Sequence, residues 1–265
     1  MSTNARTTDA GFWPVLAIVA YLAMVAMNAL ANTLPLFGRT TGEVSADYPS
    51  LFTPAPYTFS VWGLIYLALA AFVVYQVLPG NRGDSTLGVV RPLFVLSCAL
   101  NIGWLLSWHA QVIWLSELIM IALLLTLIAL YRRAGAWRRP ASPGQRWLVY
   151  APFSLYLGWI SVATIANTSI TLLDLGFDGG SAAVAITVVV VAVAAVLGLL
   201  GVLRRRDGVY ALVIGWGLGG VAAARSADGG GGSTVVVAAL NCVVVLALVG
   251  LWALFTGSKA RGAVA

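Results

Sequence analysis

Eight separate apolar runs, each close to twenty residues, leave this chain little choice of fold. They lie near 13–34, 57–78, 91–110, 112–131, 147–170, 181–203, 208–224 and 234–256. A run of that length wound as an α-helix rises about 30 Å, the thickness of the hydrocarbon core of a bilayer. The expected fold is therefore all-α: a polytopic membrane helix bundle with eight spans. The seventh run is the shortest and carries Gly208, Gly215, Gly217, Gly219 and Gly220. Glycine lets helix backbones approach closely in a membrane, so the run is read as a span. Composition agrees, since 60% of residues are hydrophobic and 9% charged, against about a quarter charged in soluble domains.

Several classes of function fall away at once. A net charge of +6 invites a nucleic-acid role, but that requires basic residues gathered on a water-facing surface. Here they sit in short loops between apolar runs, so no nucleic-acid partner is expected. Cys98 and Cys242 lie inside apolar runs without metal-ligand spacing, and no metal site is expected. The opening MSTNARTTDAGFW lacks a basic region followed by a small-residue cleavage site, so the first run is read as a retained helix.

With eight spans, thirteen basic residues fall on the side of the termini: Arg6, Arg82, Arg91, five between 132 and 146, Arg204 to Arg206, Lys259 and Arg261. Only Arg39 and Arg225 fall on the other. The positive-inside rule then places both termini in the cytoplasm of a cell-membrane protein. The arginine-rich 132–146 connection faces anionic lipid in this reading.

The longest connection, 35–56, reads PLFGRTTGEVSADYPSLFTPAP and lies outside. Connections of that length are usually functional or disordered. Tyr48, Leu51 and Phe52 favour a segment folded back as a lid, with Tyr48, Phe52, Pro54 and Pro56 as the lid residues. Pro54 and Pro56 fix their own φ and push the preceding residues into extended geometry, so the next helix starts near Tyr57. Phe59, Trp62 and Tyr66 then fall three and four apart on one face beneath that lid.

Polar residues inside apolar runs are costly and are functional candidates. These are Asn28 and Asn32 in the first run, Asn101 and His109 in the third, Glu117 in the fourth, Asn167 in the fifth and Asn241 in the eighth. Asn32, Trp62, Trp108, His109, Trp114, Glu117 and Asn167 all fall within roughly two turns of the outer end of their helices. An Asn in a bundle more often bonds a neighbouring helix than a ligand, and that bland reading is preferred for Asn28 and Asn241. His109 reads first as a headgroup-zone residue. Glu117 needs protonation or a partner, with His109 across the short turn as the candidate, which makes the two a proton-linked pair in the functional reading.

Eight of the ten tryptophans precede residue 172, whereas the last three runs are mostly Val, Ala, Leu and Gly. The connector LLDLGFDGGS divides the regions. The expected organisation is a cytoplasmic tail 1–11, a five-helix working domain 12–172, a three-helix extension 173–257 serving as scaffold or homodimer surface, and a cytoplasmic tail 258–265. Gly229 to Gly232 reads as a flexible outer loop.

Three segments carry a resemblance to the TspO/MBR family, the tryptophan-rich sensory proteins related to the mitochondrial translocator protein. The first is Pro54 with VWGLIY, containing Trp62 and Tyr66; the second is ALNIGW, with Asn101 and Trp104. The third is GWISVATIAN, in which Trp159 and Asn167 keep the spacing of the family, and Ala163 and Thr164 fall where the family borders its ligand pocket or a sterol-contact face. The resemblance covers about 12–172. It departs where Pro54-Ala55-Pro56 replaces an adjacent proline pair, in the insertion-like GRTTGEVSADYP, and in the three added helices. It implies a five-helix unit that binds tetrapyrroles, with transport, sensing and porphyrin-degrading activities attributed to its members. The candidate ligand-binding set is Trp62, Tyr66, Asn101, Trp104, Trp108, Trp159, Ala163, Thr164 and Asn167.

The leading expectation is a membrane sensor or carrier whose partners are the lipid bilayer and a small apolar or aromatic ligand, a tetrapyrrole by the resemblance, with no obligatory cofactor. A proton-coupled transporter using Glu117 and His109 is the alternative, weakened by the lack of inverted repeats. A scaffold without ligand is the bland reading. An enzyme is the less favoured one, because no nucleophile-base pair or metal motif supports it.

Overall fold

The computed structural model describes residues 5–34, 36–137, 141–228 and 233–259, and among these all regular structure is helical. The helices are α1 (Ala5–Thr33), α2 (Thr41–Ala46), α3 (Val61–Tyr75), α4 (Ser85–His109), α5 (Ile113–Arg133), the single turn α6 (Pro143–Gln145), α7 (Ala151–Asp174), α8 (Ala183–Arg205), α9 (Gly208–Ala227) and α10 (Ser233–Lys259). Eight stretches are long and apolar enough to cross a membrane, and each overlaps one of the runs read from sequence. The protein is an all-α polytopic membrane protein. The tail 1–4, the glycine run 229–232 and residues 260–265 lie outside the described residues, as does the side chain of Asn32.

Helix boundaries follow local chemistry more closely than hydropathy. α4 starts six residues before the apolar run does, because Asp84 caps it by accepting from Thr86 N at 2.7 Å and Leu87 N at 3.1 Å. Asp207 caps α9 through Tyr210 N. A π-helical stretch, Arg146–Tyr150, leads into α7, and α8 ends on Arg206 at a φ of 56°. Pro56 opens a 3₁₀ turn, Pro56–Ser60, from which α3 continues.

The chain divides into two compact units. The first contains the residues up to Val44 together with Gly63–Phe153. In it α4 packs against α1 and α5, and Phe72, Phe94 and Phe153 meet edge to face at 4.9 to 5.8 Å between centroids. The second contains Ser45–Trp62 and the residues from Ser154 onward. In it α8, α9 and α10 pack on one another around Val191, Ala194, Ile214, Leu218 and Leu246. The glycines of α9 set this spacing. A Cβ at Gly208 would run into the Gly250 carbonyl of α10, and one at Gly217 would come within 2.7 Å of Val162 on α7. The close approach expected of this glycine-rich span is therefore present on two sides of it.

Candidate functional site

In the second unit, the Pro-rich segment is tied down along its length. The Tyr48 hydroxyl donates to Asp174 Oδ1 at 3.0 Å, at the end of α7. Arg225 of α9 donates to the Ser50 carbonyl at 3.4 Å and pairs with Asp228 at 3.2 Å. Phe52, 2% exposed, enters the same hydrophobic cluster as Val162, Leu218 and Ala222. Pro54 is buried and Pro56 exposed. Neither has an N–H, so Ala55 is the donor between them, and it reaches Gly220 O at 3.0 Å. Thr58 lies against Gly220, where any Cβ would displace it, and its carbonyl accepts from Trp216 Nε1 at 2.9 Å. A cleft of about 320 Å³ opens beside this segment, between Pro49, Leu51, Leu172, Phe177, Ile186 and Thr187.

The segment delivers Phe59 and Trp62 to α7. Their rings meet Trp159 edge to face at 5.8 and 6.3 Å, and Trp62 also meets Tyr156 at 5.9 Å. Tyr156, Trp159, Ala163 and Asn167 follow one another at spacings of three and four, one stripe of α7. Ala163 and Thr164 are half-buried, and the Thr164 hydroxyl returns to Ile160 O at 2.7 Å. Asn167 is buried. Trp159 is 1% exposed, yet its indole N–H has no hydrogen-bond partner among the described residues. An unmatched buried donor costs about 1–3 kcal/mol, so an acceptor is expected there.

In the first unit, Tyr66 is half-buried and its backbone carbonyl accepts from the Tyr21 hydroxyl at 3.0 Å. Asn28 Nδ2 donates to Met24 O at 2.9 Å and to Asn101 Oδ1 at 2.8 Å, the interhelical role expected of it. Those two bonds fix the Asn101 amide with its oxygen toward α1. Its Nδ2 is then left fully buried with no partner among the described residues. Trp104 and Trp108 stack at 5.8 Å, and the Trp108 indole donates to Thr41 O at 3.2 Å. His109 Nδ1 is 2.8 Å from Leu105 O and so carries the proton in the neutral ring, leaving Nε2 to face Thr41 Oγ1 at 3.4 Å. Glu117 is buried, whereas Trp114 points outward at 57% exposure as an interfacial aromatic does.

Two titratable groups of the connection carry clear shifts. Hydrogen bonds from the Thr40 backbone and hydroxyl hold the Glu43 carboxyl below its ordinary range. Burial, then the bond to Asp174, pushes the Tyr48 phenol up. Sequence reasoning missed Asp174, Trp216, Gly220 and Arg225, which anchor the Pro-rich segment. It also missed the buried Asp207, which accepts from Ser154 at 2.6 Å. The one usable signal was the glycine density of α9.

The family model described as TSPO-like protein matches residues 14–252, a stretch that runs through the last three spans as well as the first five. No curated protein matches the chain, and no solved structure does.

Proposed function

This chain belongs to the TSPO-like family of integral membrane proteins, and we propose that it binds a flat, largely apolar molecule carrying hydrogen-bond acceptors, of which a tetrapyrrole is the type. The observation that carries this reading is the buried, unmatched indole N–H of Trp159 inside the Phe59, Trp62 and Tyr156 ring cluster. Ring faces and edges offer a flat ligand dispersion contact, and the N–H offers it one oriented bond. The preset amide of Asn101 is an independent donor of the same kind in the first unit. The segment Tyr48 to Pro56 acts in this reading as the lid. Both termini are cytoplasmic by the distribution of basic residues, in the cell membrane. No observation favours the proton-coupled alternative, since both ring nitrogens of His109 face groups that hold α4 and Thr41.

The test is titration of the purified full-length protein with protoporphyrin, followed by tryptophan quenching and the Soret band. Wild-type protein is expected to shift and quench saturably. Trp159→Phe keeps an aromatic ring, though a smaller one, and removes the donor, with an expected loss of at least about 0.5–1.5 kcal/mol of affinity. Trp62→Ala removes a larger apolar surface and is expected to lose about 1–3 kcal/mol. Unsaturable quenching that is the same in all three proteins would sink the reading.

A further inference from the structure

The last helix carries a polar group that no atom of the described residues serves. Of the eight spans, α10 is the least buried. Val235, Ala239, Leu246, Gly250 and Ala253 turn inward, toward α8 and α9. The opposite face is exposed at Val237, Asn241, Val244, Leu248, Leu251 and Phe255. In a membrane the apolar members of this face mean little, because lipid chains cover them as well as protein does.

Asn241 is another matter. It lies eight residues from Ser233, about 12 Å along the helix and thus well inside the hydrocarbon. Among the described residues nothing hydrogen-bonds its side chain. Asn28 shows how an asparagine inside a span is satisfied, by one bond to its own helix and one to a neighbour. Thr256, also on α10, satisfies its hydroxyl by bonding Trp252 O at 2.7 Å. Asn241 does neither, and an amide facing lipid alone costs free energy.

We infer that α10 pairs with α10 of a second copy of this chain, with Asn241 bonding Asn241 of that copy. Two copies inserted in the same direction are related by a two-fold axis along the membrane normal, so helices that cross at that axis run parallel and like residues meet. An asparagine amide is its own complement, since each side chain supplies both a donor and an acceptor. Val237, Asn241, Val244, Leu248, Leu251 and Phe255 follow one another along α10 at intervals of four, three, four, three and four, with Leu240, Val245 and Trp252 exposed beside them. That spacing is the 3.5-residue seam of a left-handed helix pair, with the single polar residue setting its register.

The test uses the full chain in lipid vesicles, in a Cys98→Ser, Cys242→Ala background with single cysteines introduced along α10. Oxidation is expected to give an adduct of twice the chain mass for Val237→Cys, Val244→Cys and Leu248→Cys, and little for Ala238→Cys and Ala247→Cys off the seam. In dilution by energy transfer, Asn241→Val is expected to weaken association about tenfold, the scale of one interhelical amide pair. Asn241→Gln is expected to retain most of it. Two results overturn the inference: no adduct at any seam position, which leaves lipid as the cover, or Asn241→Val associating as the wild type does.

Discussion

The connection between α1 and α3 has two halves that are held in different ways. Its first half, up to Val44, carries a cap of its own and a bond from the Trp108 indole of α4 to Thr41 O. Thr40 and Glu43 cap α2 reciprocally, with Glu43 Oε2 accepting from Thr40 N at 2.7 Å and from Thr40 Oγ1 at 2.9 Å, and Thr40 Oγ1 accepting from Glu43 N at 3.3 Å. Its second half, from Ser45, forms short turns and is anchored from far along the sequence, by Asp174, Gly220 and Arg225. The first half opens by giving up its cap and its contacts with α4, whereas the second, threaded into a core, opens only with that core. In a lid, the first behaves as a latch and the second as a hinge.

The largest expected effect tests whether the second half is core. Phe52→Ala, at 2% exposure, should destabilise the protein by about 3–5 kcal/mol, the usual loss for a buried aromatic. Phe37→Ala in the first half, at 70% exposure, should stay within about 0.5 kcal/mol. Denaturant unfolding in detergent reads both, and equal losses would break the contrast. Gly220→Val comes next. Its side chain must displace Thr58, an overpacking of about 1–3 kcal/mol, and the Ala55 amide should exchange faster while the amides of α2 do not.

Tyr48→Phe removes one bond at a partly solvated site and should cost about 0.5–1 kcal/mol. It also carries a pH signature. The folded phenol titrates above its ordinary value of 10.0, so the fold favours the protonated form. That contribution is complete below 10.0 and is lost as the pH rises through the folded value. Tyr48→Phe should therefore flatten part of the alkaline loss of stability, and an unchanged alkaline limb would remove Tyr48 from the anchor.

The contrast was only half legible in the sequence. Run length gave the eight spans. The prolines put the next helix start near Tyr57, where the structure has the 3₁₀ turn Pro56–Ser60 and the α-helix only from Val61. Tyr48 and Phe52 marked a segment that folds back. Their partners were not legible, because bonds such as Tyr48 to Asp174 and Arg225 to Ser50 join residues 126 and 175 positions apart, and helical periodicity says nothing about which helices meet. Two asparagines make the same point. Asn28 and Asn241 share residue type and apolar context, yet one is buried in an interhelical bond and the other faces outward. Only the packing of α10 against α8 and α9 decides which face of it turns to lipid.

The smallest expected effect isolates the first half. Glu43 is fully exposed, and its carboxyl titrates below the ordinary 4.5 because the ionised form accepts both Thr40 bonds. The sign follows from that. Whatever order the cap gives α2 is present above 4.5 and is lost as the pH falls through the lower folded value. Amide exchange, corrected for its intrinsic pH dependence, should then rise at Thr41 to Ser45 on acidification while Ala55 stays protected by its bond to Gly220. Glu43→Gln holds no charge and should show raised exchange at Thr41 to Ser45 already at neutral pH, with no further acid step. If Ala55 loosens together with α2 in the wild type, the two halves open as one, and the distinction between latch and hinge fails.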